Sequence, residues 1–174
     1  MKHFTKFIFS AIILSITIGC SNGAEGSNYS APSQEEIEQM IEKKNIEPLA
    51  IETTGGVTFI LCKSSLYTIT KSNGEITENY SSWSGDGQGK ISTGMTSTGS
   101  APHAFVIIND KHLIQNAETV EVVFNDGKTV SKLVKDKRGF IMFYNRNEKD
   151  MNLKADWKVN IYGQNGNVLY ESAE

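Results

Sequence analysis

Short runs of alternating apolar and polar residues fill most of the chain after Pro48. Residues 49–53 alternate, residues 57–62 form a continuous apolar-leaning run, and further apolar runs fall at 104–108 and 140–144. A period of two is typical of a strand with one buried face, and a continuous apolar run is typical of a central strand. The pattern therefore predicts β-structure from Pro48 onward.

Turn signals divide these runs into hairpins. Three dipeptides that favour tight turns each separate two candidate strands: Asn73-Gly74, Asp126-Gly127 and Asn165-Gly166. Such a dipeptide supplies the positive φ angles that a two-residue hairpin turn requires. About nine strands with short connections are predicted. This indicates a mainly β fold, an antiparallel β-sandwich, with an immunoglobulin-like arrangement as one form of it.

One short N-terminal helix is predicted before the strands. Ser33 and Glu36 have the spacing of a capping box, and Lys43 and Lys44 suit the carboxyl end of a helix dipole. The apolar positions of this helix fall on one side and are Ile37, Met40 and Ile41. Because an isolated helix this short is marginal in water, we expect that side to pack on the sheet.

The first residues have the features of an export signal. Lys2 and Lys6 lead into an apolar run at 7–18, which is shorter than the roughly twenty residues that cross a membrane. The run ends in Thr17-Ile18-Gly19-Cys20, which resembles the lipobox of bacterial lipoproteins. The small residue before the cysteine fits that pattern. Thr17 departs from it, because the family prefers leucine at that position.

The resemblance implies cleavage before Cys20 and attachment of a diacylglycerol to the Cys20 thiol. Residues 1–19 would then be a lipoprotein signal peptide, residues 20–33 a lipid-anchored flexible linker rich in Gly and Ser, and residues 34–174 a single β-rich domain. The implied location is the extracytoplasmic face of the cell membrane. For a cell with two membranes, the sequence leaves open which of them holds the anchor.

The charge balance narrows the class of partner. The net charge is −3, and loss of Lys2 and Lys6 with the leader makes the remaining chain more acidic. A nucleic-acid partner requires a concentrated basic face, so this class is excluded. The expected partners are the membrane, through lipid on Cys20, and an envelope protein.

The segment 81–102 is the predicted binding loop. It is rich in Gly, Ser and Thr and shows no strand pattern, and loops of this length in compact domains are typically functional or disordered. Residues 84–92 within it lack the spacing of a phosphate-binding loop and the carboxylates of a calcium loop. The candidate binding residues are Tyr80, Trp83, Asp86 and Lys90.

The reactive side chains support only one enzyme hypothesis. With Cys20 as the anchor, Cys62 is a lone cysteine in an apolar run, which predicts a buried, unreactive thiol. A nucleophilic cysteine needs an imidazole partner, and His103 and His112 are the histidines that follow the leader. No serine-hydrolase motif or zinc spacing is present, so we predict no catalytic residue, metal or cofactor.

Three functions therefore stay open at the level of sequence. The favoured hypothesis is a membrane-anchored, non-enzymatic binding or accessory module of the cell envelope. The first alternative is an envelope hydrolase or thiol enzyme that uses Cys62 with His103 or His112. The second alternative is small-ligand binding through the 81–102 loop.

Overall fold

A computed structural model describes residues 29–84, 89–96, 101–144 and 157–172. The leader, Cys20 and Asp86 lie outside these residues. The prediction of a mainly β chain with antiparallel sheets is confirmed.

The described residues form two helices and twelve strands, more strands than the hairpin signals predict. Their bounds are β1 Tyr29–Ser30, α1 Gln34–Lys44, β2 Ala50–Thr54, β3 Val57–Leu61, β4 Ser65–Ser72, β5 Glu75–Ser82, β6 Ile91–Thr96, β7 His103–Ile108, α2 Lys111–Asn116, β8 Ala117–Val123, β9 Thr129–Leu133, β10 Gly139–Phe143, β11 Lys158–Gly163 and β12 Val168–Glu171.

The strands divide among three sheets. Sheet A has the order β1-β4-β3-β2, with β5 on β4; sheet B has the order β10-β7-β6; sheet C has the order β12-β11-β8-β9. Every neighbouring pair is antiparallel. The finer prediction of a sandwich with an immunoglobulin-like arrangement is not confirmed, because sheet B forms a third layer between the other two.

Sheet B is buried on both of its faces. Successive side chains of a strand point to opposite faces. On β7, Val106 and Ile108 pack in the core that includes β8 and β11 of sheet C, whereas Ile107 packs against Phe59 and Leu61 of sheet A. A strand with apolar residues on both of its faces must be covered on both sides, and this requirement produces three layers.

Helix α1 covers the outer face of sheet A. Ser33 accepts a hydrogen bond from the Glu36 backbone, and the Glu36 side chain accepts one from the Ser33 backbone, so the capping box is formed. Asn45 ends the helix with φ 50, a left-handed conformation that Asn tolerates. The apolar side of α1 packs against Ile60 and Ile69.

Two segments differ from the sequence predictions. Tyr29 and Ser30, inside the predicted linker, pair with Ser72 and Lys71 as β1. The 81–102 segment, predicted as a loop, contains β6. The alternation along β6 is incomplete in the sequence, because polar Thr93 stands between Ile91 and Met95 on the side that faces sheet C.

The close contact of sheets A and B depends on a glycine in β6. The Phe105 ring lies flat over Gly94, where a Cβ atom would overlap Cε1 and Cζ of the ring. Trp83, which follows β5 of sheet A, stacks on the Phe105 ring, with the ring centroids 4.5 Å apart and the planes at 19°. The absence of a side chain at Gly94 therefore leaves the space that the Phe105 ring occupies, and the Phe105–Trp83 stack connects the two sheets.

We expect Gly94→Ala to destabilise the protein by about 1–3 kcal/mol, the usual cost of overpacking a core. The measurement is urea unfolding followed by tryptophan fluorescence. Adding Phe105→Leu should recover part of the loss, because the shorter side chain leaves room for the new methyl group. An unfolding midpoint for Gly94→Ala equal to that of the parent would contradict this account of the stack.

Candidate functional site

The predicted binding residues do not form one site. Tyr80 lies on the α1 side of sheet A, where it is 56% exposed and its ring centroid is 4.9 Å from that of Tyr67. Trp83 lies on the opposite side, half-buried in the aromatic stack with Phe105. Lys90 is exposed, and its backbone carbonyl accepts hydrogen bonds from the backbone N–H groups of Asn109 and Asp110, which lie between β7 and α2. Asp86 is outside the described residues.

The structure also separates the predicted thiol and imidazole. Cys62 is buried among residues that contact α1, on the outer side of sheet A. His103 lies on the inner side, with its ring centroid 4.6 Å from that of Phe59. His112 is exposed on α2, which packs over the core between sheets B and C. The pairing of Cys62 with either histidine, which the thiol-enzyme alternative requires, is therefore not formed.

Burial makes both groups poor catalysts. Desolvation raises the pKa of the Cys62 thiol, which disfavours the nucleophilic thiolate. Desolvation lowers the pKa of His103, although its hydrogen bond to the Ala101 carbonyl acts in the opposite direction. That bond joins Nδ1 to the carbonyl oxygen over 2.7 Å, so Nδ1 carries the proton and donates it. The side chain positions the start of β7.

The β4–β5 hairpin exposes a row of hydroxyl and amide groups on its inner side. Leu66 of β4 is buried against sheet B and lies opposite Ser81. Further along the same side, away from the cover of sheet B, the apolar residues give way to polar ones. We name this surface the polar face, and its residues are Thr68, Thr70, Ser72, Glu75, Thr77, Asn79 and Ser81.

An open groove of about 610 Å³ lies along part of the polar face. Tyr29 stands at one end with 58% of its surface exposed, and Thr70, Thr77 and Asn79 line the floor. Hydroxyl and amide groups both donate and accept hydrogen bonds. Glu75 is the one charged residue among the members of the polar face, so the groove suits a neutral polar partner better than an anionic one.

A second cleft, of about 370 Å³, lies beside the carboxyl end of α1. Its lining holds three basic residues, Lys44, Lys63 and Arg138, against one acidic residue, Glu47, which gives it a basic character. Lys44, however, forms a 2.8 Å ion pair with Glu78, and Arg138 Nε donates to the Ile108 carbonyl. These contacts use part of the positive charge for structure, so the polar groove is the stronger candidate site.

The described residues bring no group of three or more His, Cys, Asp or Glu side chains together in a way that could hold a metal ion. In the same part of the chain, neither helix has the length and hydrophobicity to cross a membrane. The sequence matches no protein-family model and no curated protein, and the fold matches no solved structure. Function must therefore be argued from the site itself.

Sequence reasoning did not identify the polar face, although a signal for it exists. Beyond Leu66 and Ser81, the alternate residues of β4 and β5 on this side are Ser, Thr and Asn, with Glu75 beside the turn. A period of two in small polar residues is a mark of a solvated strand face. This face remains open because sheet B does not extend over it. The extent of sheet B is known only from the structure.

The buried imidazole leads to a pH prediction. The pKa of His103 is lower in the folded protein than the value of about 6.5 expected when the chain is unfolded. The unfolded state therefore binds the proton more readily, and His103 contributes stability above pH 6.5 that is lost as the pH falls towards the folded pKa. The slope contributed by this residue is at most about 1.4 kcal/mol per pH unit.

We expect the free energy of unfolding to fall between about pH 7.5 and 5.5 in the parent, and to fall less steeply in His103→Gln. The Gln side chain does not titrate. His112→Gln is the control, since it removes an exposed imidazole. Equal slopes for the parent and His103→Gln, measured by urea unfolding at each pH, would contradict the prediction.

Proposed function

We propose that this chain is a lipid-anchored, non-enzymatic binding module of the cell envelope, held at the extracytoplasmic face of a membrane. The observation that carries the proposal is the apolar run at 7–18 followed by Thr17-Ile18-Gly19-Cys20. A thiol at the end of such a run is delivered to the bilayer surface. Two acyl chains on Cys20 would provide stable anchoring, which a single chain does not.

The arrangement of reactive groups supports a binding role. Cys62 and His103 are both buried and lie on opposite sides of sheet A. The polar face, by contrast, is open and rich in hydrogen-bonding groups. We infer that the polar face, with Tyr29 at its end, is the surface that contacts an envelope component.

The position of β1 would keep this surface near the proposed anchor. Tyr29 pairs with Ser72 at the end of the polar face. The intervening residues 20–28 span at most about 30 Å when fully extended. The polar face would therefore stay within reach of components at the membrane surface.

The anchor is tested by replacing its proposed attachment residue. Cells that express the parent chain are fed an alkyne-tagged palmitate, and the label on the purified chain is measured. We expect Cys20→Ser to lose the label and to leave the membrane fraction, because no thioether can form. Cys62→Ser is the matched control and should keep both. Full labelling of Cys20→Ser would contradict the proposal.

The binding surface is tested by photo-crosslinking in native membranes. A photoreactive residue at Tyr29 should give adducts with a recurring envelope component other than this chain. The same residue at Val168, which is 57% exposed on sheet C, is the control and should not. If both positions give the same adducts, or neither gives one, the polar face is not the contact surface.

A further inference from the structure

Strand β5 has one unpaired edge. It pairs with β4 along its whole length, from Ser72–Glu75 to Ser65–Ser82, and no other strand in the described residues pairs with its outer side. All of its residues except Glu78 are exposed. The pairing with β4 runs without a register shift, so the outer edge is long and regular.

The hairpin geometry fixes which backbone groups face outward. Asn73 and Gly74 have φ angles of 51 and 86, which defines a two-residue turn with both central residues left-handed. The residues that flank such a turn exchange hydrogen bonds, and bonded pairs then alternate along the ladder. Glu75, Thr77, Asn79 and Ser81 therefore bond to β4. The N–H and C=O groups of the alternate residues point outward: Ile76, Glu78, Tyr80 and Ser82.

Two other edge strands, β9 and β12, are protected from further pairing. On β9, the side chain of Lys132 turns inward to form an ion pair with Glu52 of β2. Strand β12 has only four residues, and its pairing is interrupted by a register shift after Ile161. Inward charges, short strands and irregular pairing are common ways to block edge-to-edge association. Strand β5 has no lysine, proline or bulge.

We propose that two copies of this chain pair through β5, antiparallel, with Asn79 of each copy at the two-fold axis. Outward-facing groups then meet outward-facing groups, because Glu78 lies opposite the second copy's Tyr80 and Ile76 lies opposite its Ser82. About eight backbone hydrogen bonds would form. The proposal concerns assembly and does not depend on the lipid anchor.

The side chains are self-complementary in this register. The Tyr80 hydroxyl can donate to the Glu78 carboxylate of the second copy. On the polar face, Thr77 lies opposite the second copy's Ser81, a pair that favours adjacent strands, and the two Asn79 amides face each other. The two polar faces would then form one continuous surface.

The neighbouring registers are less favourable. Centring the pair on Glu78 would place two carboxylates directly opposite each other, which is destabilising. Centring it on Tyr80 would pair Ile76 with Ser84, beyond the end of β5. The register at Asn79 is the one that uses the full strand without opposing like charges.

The helices leave room for this association. Helix α1 packs over β3 and β4, through Ile60 and Ile69. With neighbouring strands about 4.8 Å apart, the two α1 axes would be about 19 Å apart. A helix with its side chains is about 10–12 Å wide, so a gap remains between them. The exposed side chains of Ile76 and Tyr80 line this gap and would lose water on pairing.

Cysteine cross-linking of the full chain in its own membrane tests both the dimer and the register. In the proposed pair, the two Asn79 Cα atoms are about 4.5 Å apart, within the range that a disulfide bridges. We therefore expect Asn79→Cys to give a disulfide-linked species of doubled mass under mild oxidation. The parent chain, which retains Cys20 and Cys62, is the baseline: the Cys62 thiol is buried, so any doubled-mass species of the parent would come from Cys20, and Asn79→Cys should exceed it.

Thr77→Cys and Ser81→Cys are the matched controls. Two Thr77 residues would be about 14 Å apart along the strands, too far for a disulfide. Thr77→Cys and Ser81→Cys should each give no disulfide-linked species alone and should cross-link to each other when expressed together. Cross-linking of Asn79→Cys no stronger than that of Thr77→Cys alone would overturn the proposal.

A variant without new cysteines gives an independent readout. Asn79→Lys would place two positive charges opposite each other at the axis and should abolish the doubled mass seen by light scattering of the detergent-solubilised chain. Thr68→Lys, on the same face but on β4, should not. A parent chain that is monomeric at every concentration tested would also overturn the proposal.

Discussion

The structure depends on the burial of β7 and β10 on both faces. Ile107 and Ile141 are fully buried on the side of sheet A, whereas Val106 and Met142 are fully buried on the side of sheet C. Each fully buried aliphatic side chain contributes about 1.5–3 kcal/mol relative to its exposed state. Neither outer sheet could be removed without exposing half of this apolar surface, so the three layers form a single cooperative unit.

This central layer also determines where the molecule is open. Sheet B has three strands and covers the part of sheet A near Leu66, while the β4–β5 hairpin extends further. On the inner side of sheet A, the residue type changes where sheet B no longer covers the strands. The residues of β3 are apolar there, whereas β4 and β5 carry hydroxyl and amide groups. The polar face is therefore the part of the inner side of sheet A that lies beyond sheet B and is open to water. The same strand pairing supports it and the buried part of the sheet.

Features that depend on neighbouring residues could be predicted from the sequence, whereas features that depend on contacts between distant residues could not. The Asn73-Gly74 turn and the Ser33–Glu36 cap depend on a few neighbouring residues, and both are present in the structure. The separation of Cys62 from His103 depends on which face of which sheet each residue occupies, and a one-residue change of register would invert it. Strand β6 was missed because Gly94 is required by Phe105, a partner distant in sequence.

The proposed anchor and the unprotected edge are compatible for a physical reason. An open strand edge is a hazard for a protein that diffuses freely at high concentration, because any extended chain can pair with it. A lipid on Cys20 would restrict each copy to a surface and raise the effective concentration of copies for one another, so that a modest pairing energy suffices. Pairing would then remove the hazard, since both outward-facing edges are satisfied. The resulting double polar face would bind a repeating envelope component at two places at once, and such binding exceeds the affinity of either single site.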